Sequence, residues 1–160
     1  YFAHAAAVAV AEAPAQAYNP FFLYGDSGLG KTHLSTSIAK KVIEKGYSVV
    51  YDSAPNIFND FNKEQFKDES GLTTKYFDCD LLIIDDLGTE MHTNFTVSSL
   101  YNLINTRLNT GKSTLINTNL SMQELKKMYT DRITSRIFGC FTPLLFSGQD
   151  VRMQKLQRNV

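Results

Sequence analysis

No apolar stretch here approaches the roughly eighteen residues that a membrane span needs, and the alanine-rich opening lacks the basic start and unbroken apolar middle of a secretory signal. The chain reads as soluble and cytoplasmic, without a membrane partner. Cysteine is scarce: Cys79 and Cys140 lie far apart, with no C-x-x-C and no nearby histidine pair, which argues against a metal or disulfide framework. Both read as small buried apolar residues. His4, His33 and His92 show no ligand or triad spacing and read as surface or helix-packing residues rather than catalytic ones. An excess of one charge is also missing, since 16 basic and 16 acidic side chains cancel, and this argues against coating nucleic acid by bulk charge alone.

The balance conceals a polarity. Asp52 to Glu90 carries ten acids against Lys63, Lys67 and Lys75, whereas Glu124 to Val160 carries seven bases against Glu124, Asp131 and Asp150. Opposite ends of that kind suit a head-to-tail contact between copies.

A length of 160 residues suits one core, and no repeat or internal linker divides it. Residues 1–20 read as an alanine-rich helix, Phe2 to Ala13, followed by the Asn19-Pro20 turn; 21–160 read as the folded domain. "FFLYG" from Phe21 is a short continuous apolar run of the kind a buried parallel strand shows. Thr32 to Lys45 places Leu34, Ile38, Ala39, Val42 and Ile43 on one helical stripe before Gly46. Further strands are expected at Tyr47–Ser53, Cys79–Gly88, Ser113–Leu120 and Cys140–Gly148, the last an edge strand because of Pro143. Helices are expected at Asn56–Lys67, at Thr96–Thr110, after a Ser121/Glu124 capping box, and after a cap at Asp131. Strands alternating with helices imply an α/β domain, a five-stranded parallel sheet with helices on both faces.

Between the first strand and its helix stands "GDSGLGKTH", which fits G-x-x-x-x-G-K-[ST]. Gly25, Asp26, Ser27, Gly28, Leu29, Gly30, Lys31, Thr32 and His33 form this candidate phosphate cradle. The amides of Asp26 to Gly30 wrap the terminal phosphates, Lys31 bridges them, and the Thr32 hydroxyl ligates Mg²⁺. Asp85 and Asp86 end the apolar run "LLII", where a second carboxylate meets the same metal. Asp85 is expected to hold it through water, and Asp86 to orient or deprotonate the attacking water. Asp86 is one methylene shorter than glutamate, which suggests slow hydrolysis. Asn119 in "NTNL" is a candidate for the γ-phosphate or that water, with Asn117 as its competitor. Arg132 and Arg136 stand one helical turn apart, and an arginine lent by a neighbour stabilises the charge of phosphoryl transfer. Arg152 is a further candidate phosphate contact, and Lys126, Lys127, Arg132 and Lys155 are candidate DNA-phosphate contacts.

From Phe21 to Lys155 the chain resembles an AAA+ ATPase of the bacterial helicase-loader branch, DnaC or DnaI type, with the transposition helper IstB as a close relative. "LYGDSGLGKTHLSTSIAKKVIEKGYSVVY", "CDLLIIDDLGTE", "TNLSMQELKKMYTDRITSRIFG" and "GQDVRMQK" carry that likeness. The resemblance implies a P-loop core without a separate lid domain, with ATP and Mg²⁺ as cofactors. It makes Gly25 to Thr32 the Walker A loop, Asp85 and Asp86 Walker B, Asn119 sensor 1, Arg136 the arginine finger and Arg152 a sensor 2 residue. It also implies a replicative helicase and single-stranded DNA as partners. The opening "FAHAAAVAVAEAPAQAYNP" is instead similar to the replication initiator DnaA. A helicase-binding domain is not found ahead of the core, and the stretch between the second and third strands is shorter than in loaders. A phosphate-loop kinase and a nucleotide-gated binding module with negligible turnover are the alternatives. The kinase would need an arginine-rich lid and an acceptor pocket, neither of which the sequence offers.

Overall fold

A computed structural model describes residues 8, 9, 12, 13 and 20–148. The helix expected over Phe2–Ala13 falls largely outside them, as do Arg152 and Lys155. The described elements are β1 (Phe21–Tyr24), α1 (Lys31–Glu44), β2 (Val49–Ser53), α2 (Ala54–Phe66), α3 (Thr74–Asp78), β3 (Leu81–Leu87), α4 (Asn94–Asn109), β4 (Ser113–Thr118), α5 (Met122–Met128), α6 (Asp131–Cys140) and β5 (Thr142–Leu145). The five strands form one sheet in the order β2-β3-β4-β1-β5, and every pairing is parallel.

Alternation along each strand sorts the core into two layers. Phe21, Leu23, Leu81, Ile83 and Leu115 point to the face covered by Ile38, Ala39 and Val42 of α1. Phe22, Leu82, Ile84 and Ile116 point the other way, toward Ile57 and Phe58 of α2, Leu100, Leu103 and Ile104 of α4, and Ile133 and Ile137 of α6. A strand covered on both faces must be apolar throughout, which is why "FFL" and "LLII" are continuous runs. The expected architecture, helices on both faces of a five-stranded parallel sheet, is the observed one.

Several boundaries move, each for a local reason. α2 begins at Ala54, because Ser53 caps Asn56 N at 3.4 Å with a proline in the first turn. α4 begins at Asn94, because Thr93 and Thr96 form a reciprocal capping box. The Ser121/Glu124 box is present at α5. Asp131 is not a cap: Thr130 occupies that position and Asp131 is the first helical residue, where its charge faces the helix N-terminus. Cys79 is buried, but Cys140 is exposed at the last position of α6, against the expectation of burial. Pro143 lies at the sheet edge as expected. The N–H groups of Thr142 and Phe146 point at β1, so the missing one at 143 would have pointed away from the sheet.

α3 and its anchor lie outside the elements expected from the sequence. Arg107 of α4 is fully buried and donates to the carbonyls of Tyr76 (2.8 Å), Phe77 (3.1 Å), Cys79 (3.0 Å) and Ser113 (2.6 Å), and to Thr114 Oγ1 (3.0 Å). Burial pulls its pKa down, yet a guanidinium stays charged. The end of α3 and the start of β4 are thereby tied to α4 through backbone acceptors instead of a carboxylate.

Candidate nucleotide site

The loop 25–30 joins the C-terminal end of β1 to the start of α1. Gly25 has φ 129°, and a Cβ there would stand 2.2 Å from the Phe146 carbonyl oxygen. That approach exists because Phe146 N donates to Tyr24 O at 2.7 Å, drawing the end of β5 across the loop's first residue. Gly28 and Gly30 also hold positive φ, and Gly30 is the N-cap of α1 without any side-chain cap. The first-turn amides of this 14-residue helix therefore face the loop with no side chain capping them and no acid in the first turn, as suits an anion site.

Lys31 is buried, and its Nζ curls back to donate to Gly25 O and Asp26 O, both at 2.6 Å. Burial pulls the ammonium's pKa below its usual value, while the charges of Asp26, Asp85 and Asp86 oppose that shift. The carboxylates ending β3 thus share the electrostatic neighbourhood of the loop.

Asp85 is buried, and both of its oxygens accept hydrogen bonds. Its Oδ2 accepts from the Tyr51 hydroxyl at 2.5 Å; its Oδ1 accepts from Asn117 Nδ2 at 3.2 Å and from Asp86 N at 2.9 Å. Asn117 Nδ2 also donates to Ser35 Oγ at 2.7 Å, and Ser35 Oγ in turn donates to Lys31 O at 2.9 Å. One chain of hydrogen bonds therefore links β2, β3, β4 and α1 directly behind the loop. Burial, then the bond to Asp85, pushes the Tyr51 phenol up to about 12. Asn117 Oδ1 is buried with no hydrogen-bond partner among the described residues. The orientation of the amide follows from its neighbours, since only an N–H can face Asp85.

Asp86 is exposed and sits at φ 53°, where β3 loses register against β4 between Ile84 and Leu87. Left-handed backbone at a residue with a Cβ is uncommon and concentrates at functional positions. Asn119 is exposed just beyond the end of β4, two positions after the inward Asn117. Thr32 and His33 are exposed in the first turn of α1. Arg132 and Arg136 are exposed on α6. Tyr51 and Ser35 went unread in the sequence, because a tyrosine in an edge strand and a serine inside a helix carry no motif.

The donor set suits Mg²⁺. The hydroxyl of Thr32 and the carboxylate of Asp85 are hard oxygen ligands, and Mg²⁺ is commonly held by one or two such groups together with phosphate oxygens and waters. The orphaned Asn117 Oδ1 beside Asp85 is an acceptor for a hydrogen of such a water.

A parallel sheet with one strand inserted between β1 and β3, a phosphate loop leading into α1 and acids ending β3 define a P-loop nucleotide-binding domain of the AAA+ class. The family model for the bacterial DnaA ATPase domain matches residues 1–142. The chain belongs to that family. It is 39% identical over 161 aligned residues to the chromosomal replication initiator protein DnaA of Clavibacter sepedonicus, covering 98% of this chain and 34% of the relative. It thus spans about a third of the curated relatives it matches. Domain III of the Thermotoga maritima replication initiation protein DnaA superposes with a TM-score of 0.83 at 30% identity, over 97% of this chain and 65% of that one. A replication initiator DnaA bound to AMPPCP and single-stranded DNA gives 0.80 at 26%, over 99% and 50%. DnaI shares the fold, with a TM-score of 0.77 at 23% identity over 93% and 82%. The AAA+ resemblance therefore stands, but the sequence relatives are initiators, toward which the opening segment alone had pointed.

Proposed function

We propose that this chain is the ATP-binding, slowly hydrolysing domain of a DnaA-type replication initiator, and that copies assemble head to tail when ATP is bound. The observation that carries this reading is the hydrogen-bonded chain joining Lys31, Ser35, Asn117 and Asp85 behind an uncapped helix N-terminus. The amides of 26–30 bind the phosphates, and Lys31 exchanges its two carbonyl partners for phosphate oxygens. Thr32 and Asp85 would hold Mg²⁺, Asp85 through water, and the ion when bound offsets the charge of the phosphates. Asp86 orients the attacking water and accepts its proton. Asn117 Oδ1 is an acceptor only, so it bonds a water hydrogen and not a phosphate oxygen; the exposed amide of Asn119 is left for the γ-phosphate. Arg136 of a second copy completes the site, and Arg152 is a further phosphate contact. Single-stranded DNA and a replicative helicase are the proposed partners of the whole protein. The likeness to a DnaA bound to AMPPCP and single-stranded DNA supports the nucleotide and the DNA.

Titration with a fluorescent ATP analogue tests the core of this reading. Lys31→Ala is expected to weaken binding at least about tenfold through loss of a charge-assisted phosphate contact, and unchanged affinity overturns it. A helicase-loader reading is supported by the resemblance of "CDLLIIDDLGTE" and by the fold shared with DnaI. Sedimentation separates the two: ATP-dependent self-association of this protein alone supports an initiator, and assembly only after a replicative helicase is added supports a loader.

A further inference from the structure

Glu90 lies four residues beyond Asp86 and is buried, 7% exposed. One carboxylate oxygen accepts from Gly88 N at 2.7 Å, and the other accepts a short hydrogen bond from the hydroxyl of Tyr129, itself 5% exposed. Tyr129 is the C-cap of α5, and the next residue, Thr130, is the N-cap of α6. His92 sets its ring edge-on to Tyr129 with centroids 5.5 Å apart. The turn at Gly88 is packed as tightly: a Cβ there would meet Leu120 Cδ1 at 2.4 Å, with Met128 Sδ at 3.6 Å. Thr118 Oγ1 bonds the Leu87 carbonyl at 2.6 Å. The end of β3 is therefore pinned to the end of β4 and to the junction from which α6 springs.

A buried carboxylate is a costly way to join two elements, because apolar side chains of the same volume usually stabilise at least as well. What it adds is direction: a charge-assisted bond to one hydroxyl tolerates little displacement of either partner. We propose that the Glu90–Tyr129 pair is a strut that sets α6 relative to the subunit's own Asp85 and Asp86, and so sets how Arg136 is presented to the next copy. This rests on the proposed role of Arg136 as an arginine lent between subunits. Glu90 and Tyr129 are positioning residues and touch no nucleotide. A change at the metal-binding end of β3 reaches α6 through the strut, which makes the nucleotide state of one subunit felt in the site of its neighbour.

The test uses the full chain and places one substitution in either of two partners. A copy carrying Arg136→Ala keeps an intact site but lends no arginine; a copy carrying Asp86→Asn lends arginine but does not turn over. Their mixture is expected to regain ATP hydrolysis. Adding Tyr129→Phe to the Asp86→Asn copy is expected to lower that regained rate about fivefold, within the range of measured coupling effects. Added to the Arg136→Ala copy, it is expected to change the rate less than about twofold. In both placements affinity for the fluorescent ATP analogue stays within about twofold, as expected of a group that makes no ligand contact. Equal losses in the two placements, or none in either, overturn the strut. A mixture that never regains activity without Tyr129→Phe overturns the lent arginine, and the strut with it. Glu90→Gln, checked by circular dichroism and melting, repeats the test should Tyr129→Phe fold poorly, and the same asymmetry is expected.

Discussion

Asp85 is held more closely than any other carboxylate around the loop. Donors from β2, β3 and β4 reach its two oxygens and fix the orientation of the carboxylate, which suits the metal-holding role proposed for it. Replacing the amide with Asn117→Leu removes one of the two donors to Asp85 Oδ1 and the donor to Ser35 Oγ, and takes away the unpaired acceptor. The expected outcome is a stability loss of about 1–3 kcal/mol by urea unfolding, together with a higher Mg²⁺ requirement for nucleotide binding. The Tyr51 phenol gives a pH signature. Its pKa in the fold is raised from 10.0 to about 12, so its contribution is whole below pH 10 and is lost as the pH climbs from 10 to 12. Tyr51→Phe is expected to flatten the alkaline fall of the urea midpoint in that window. Gly25 is constrained twice, by its φ and by the Phe146 carbonyl. Gly25→Ala is expected to cost about 2–4 kcal/mol, since neither backbone can yield cheaply; an unchanged melting temperature would contradict the close approach.

At the scale of elements, α3 shows how a short helix without a strong sequence signal is kept. Five residues cannot form a stable helix alone. The Tyr76 hydroxyl donates to Asp60 at 2.7 Å and Asp52 at 3.1 Å, and Arg107 takes up three carbonyls around the α3 C-terminus. Arg107→Met keeps the volume but takes the guanidinium from four backbone carbonyls, three of them buried, and is expected to destabilise the domain by about 3 kcal/mol or more by denaturant titration. Hydrogen exchange at 74–79 is expected to accelerate first, because those amides lose their anchor. Strands were legible where burial on both faces demanded continuous apolar runs. Boundaries were less so, because the caps at Ser53 and Thr93 add a turn ahead of the apolar stripe, and Asp131 has the chemistry of a cap without its position.

Over the whole molecule the charge polarity gains a geometry. β2 and β5 are the opposite edges of the sheet; the acidic segment from Asp52 to Glu90 starts at the end of β2 and continues through α2, α3 and β3 on that side, and the basic α5 and α6 lead into β5. Contact between such faces is screened over roughly 8–10 Å at ordinary salt. ATP-dependent association is therefore expected to weaken steeply between low and high ionic strength, as followed by sedimentation velocity. Salt-independent assembly would mean that the contact is apolar.

Gly25 to Thr32 are legible in the chain alone, because the turn into α1 is built by neighbouring residues and local geometry suffices to write it. The sheet is legible there too, because strands covered on both faces must be apolar along their length. Which polar side chains close on Asp85 emerges only once the elements pack. Asn117 lies inside β4 and points inward, while Asn119 escapes past the strand's end. Tyr51, Arg107 and Glu90 each take at least one partner from 28 to 39 positions away. Contacts at that separation depend on how the elements pack, and no spacing in the chain encodes them.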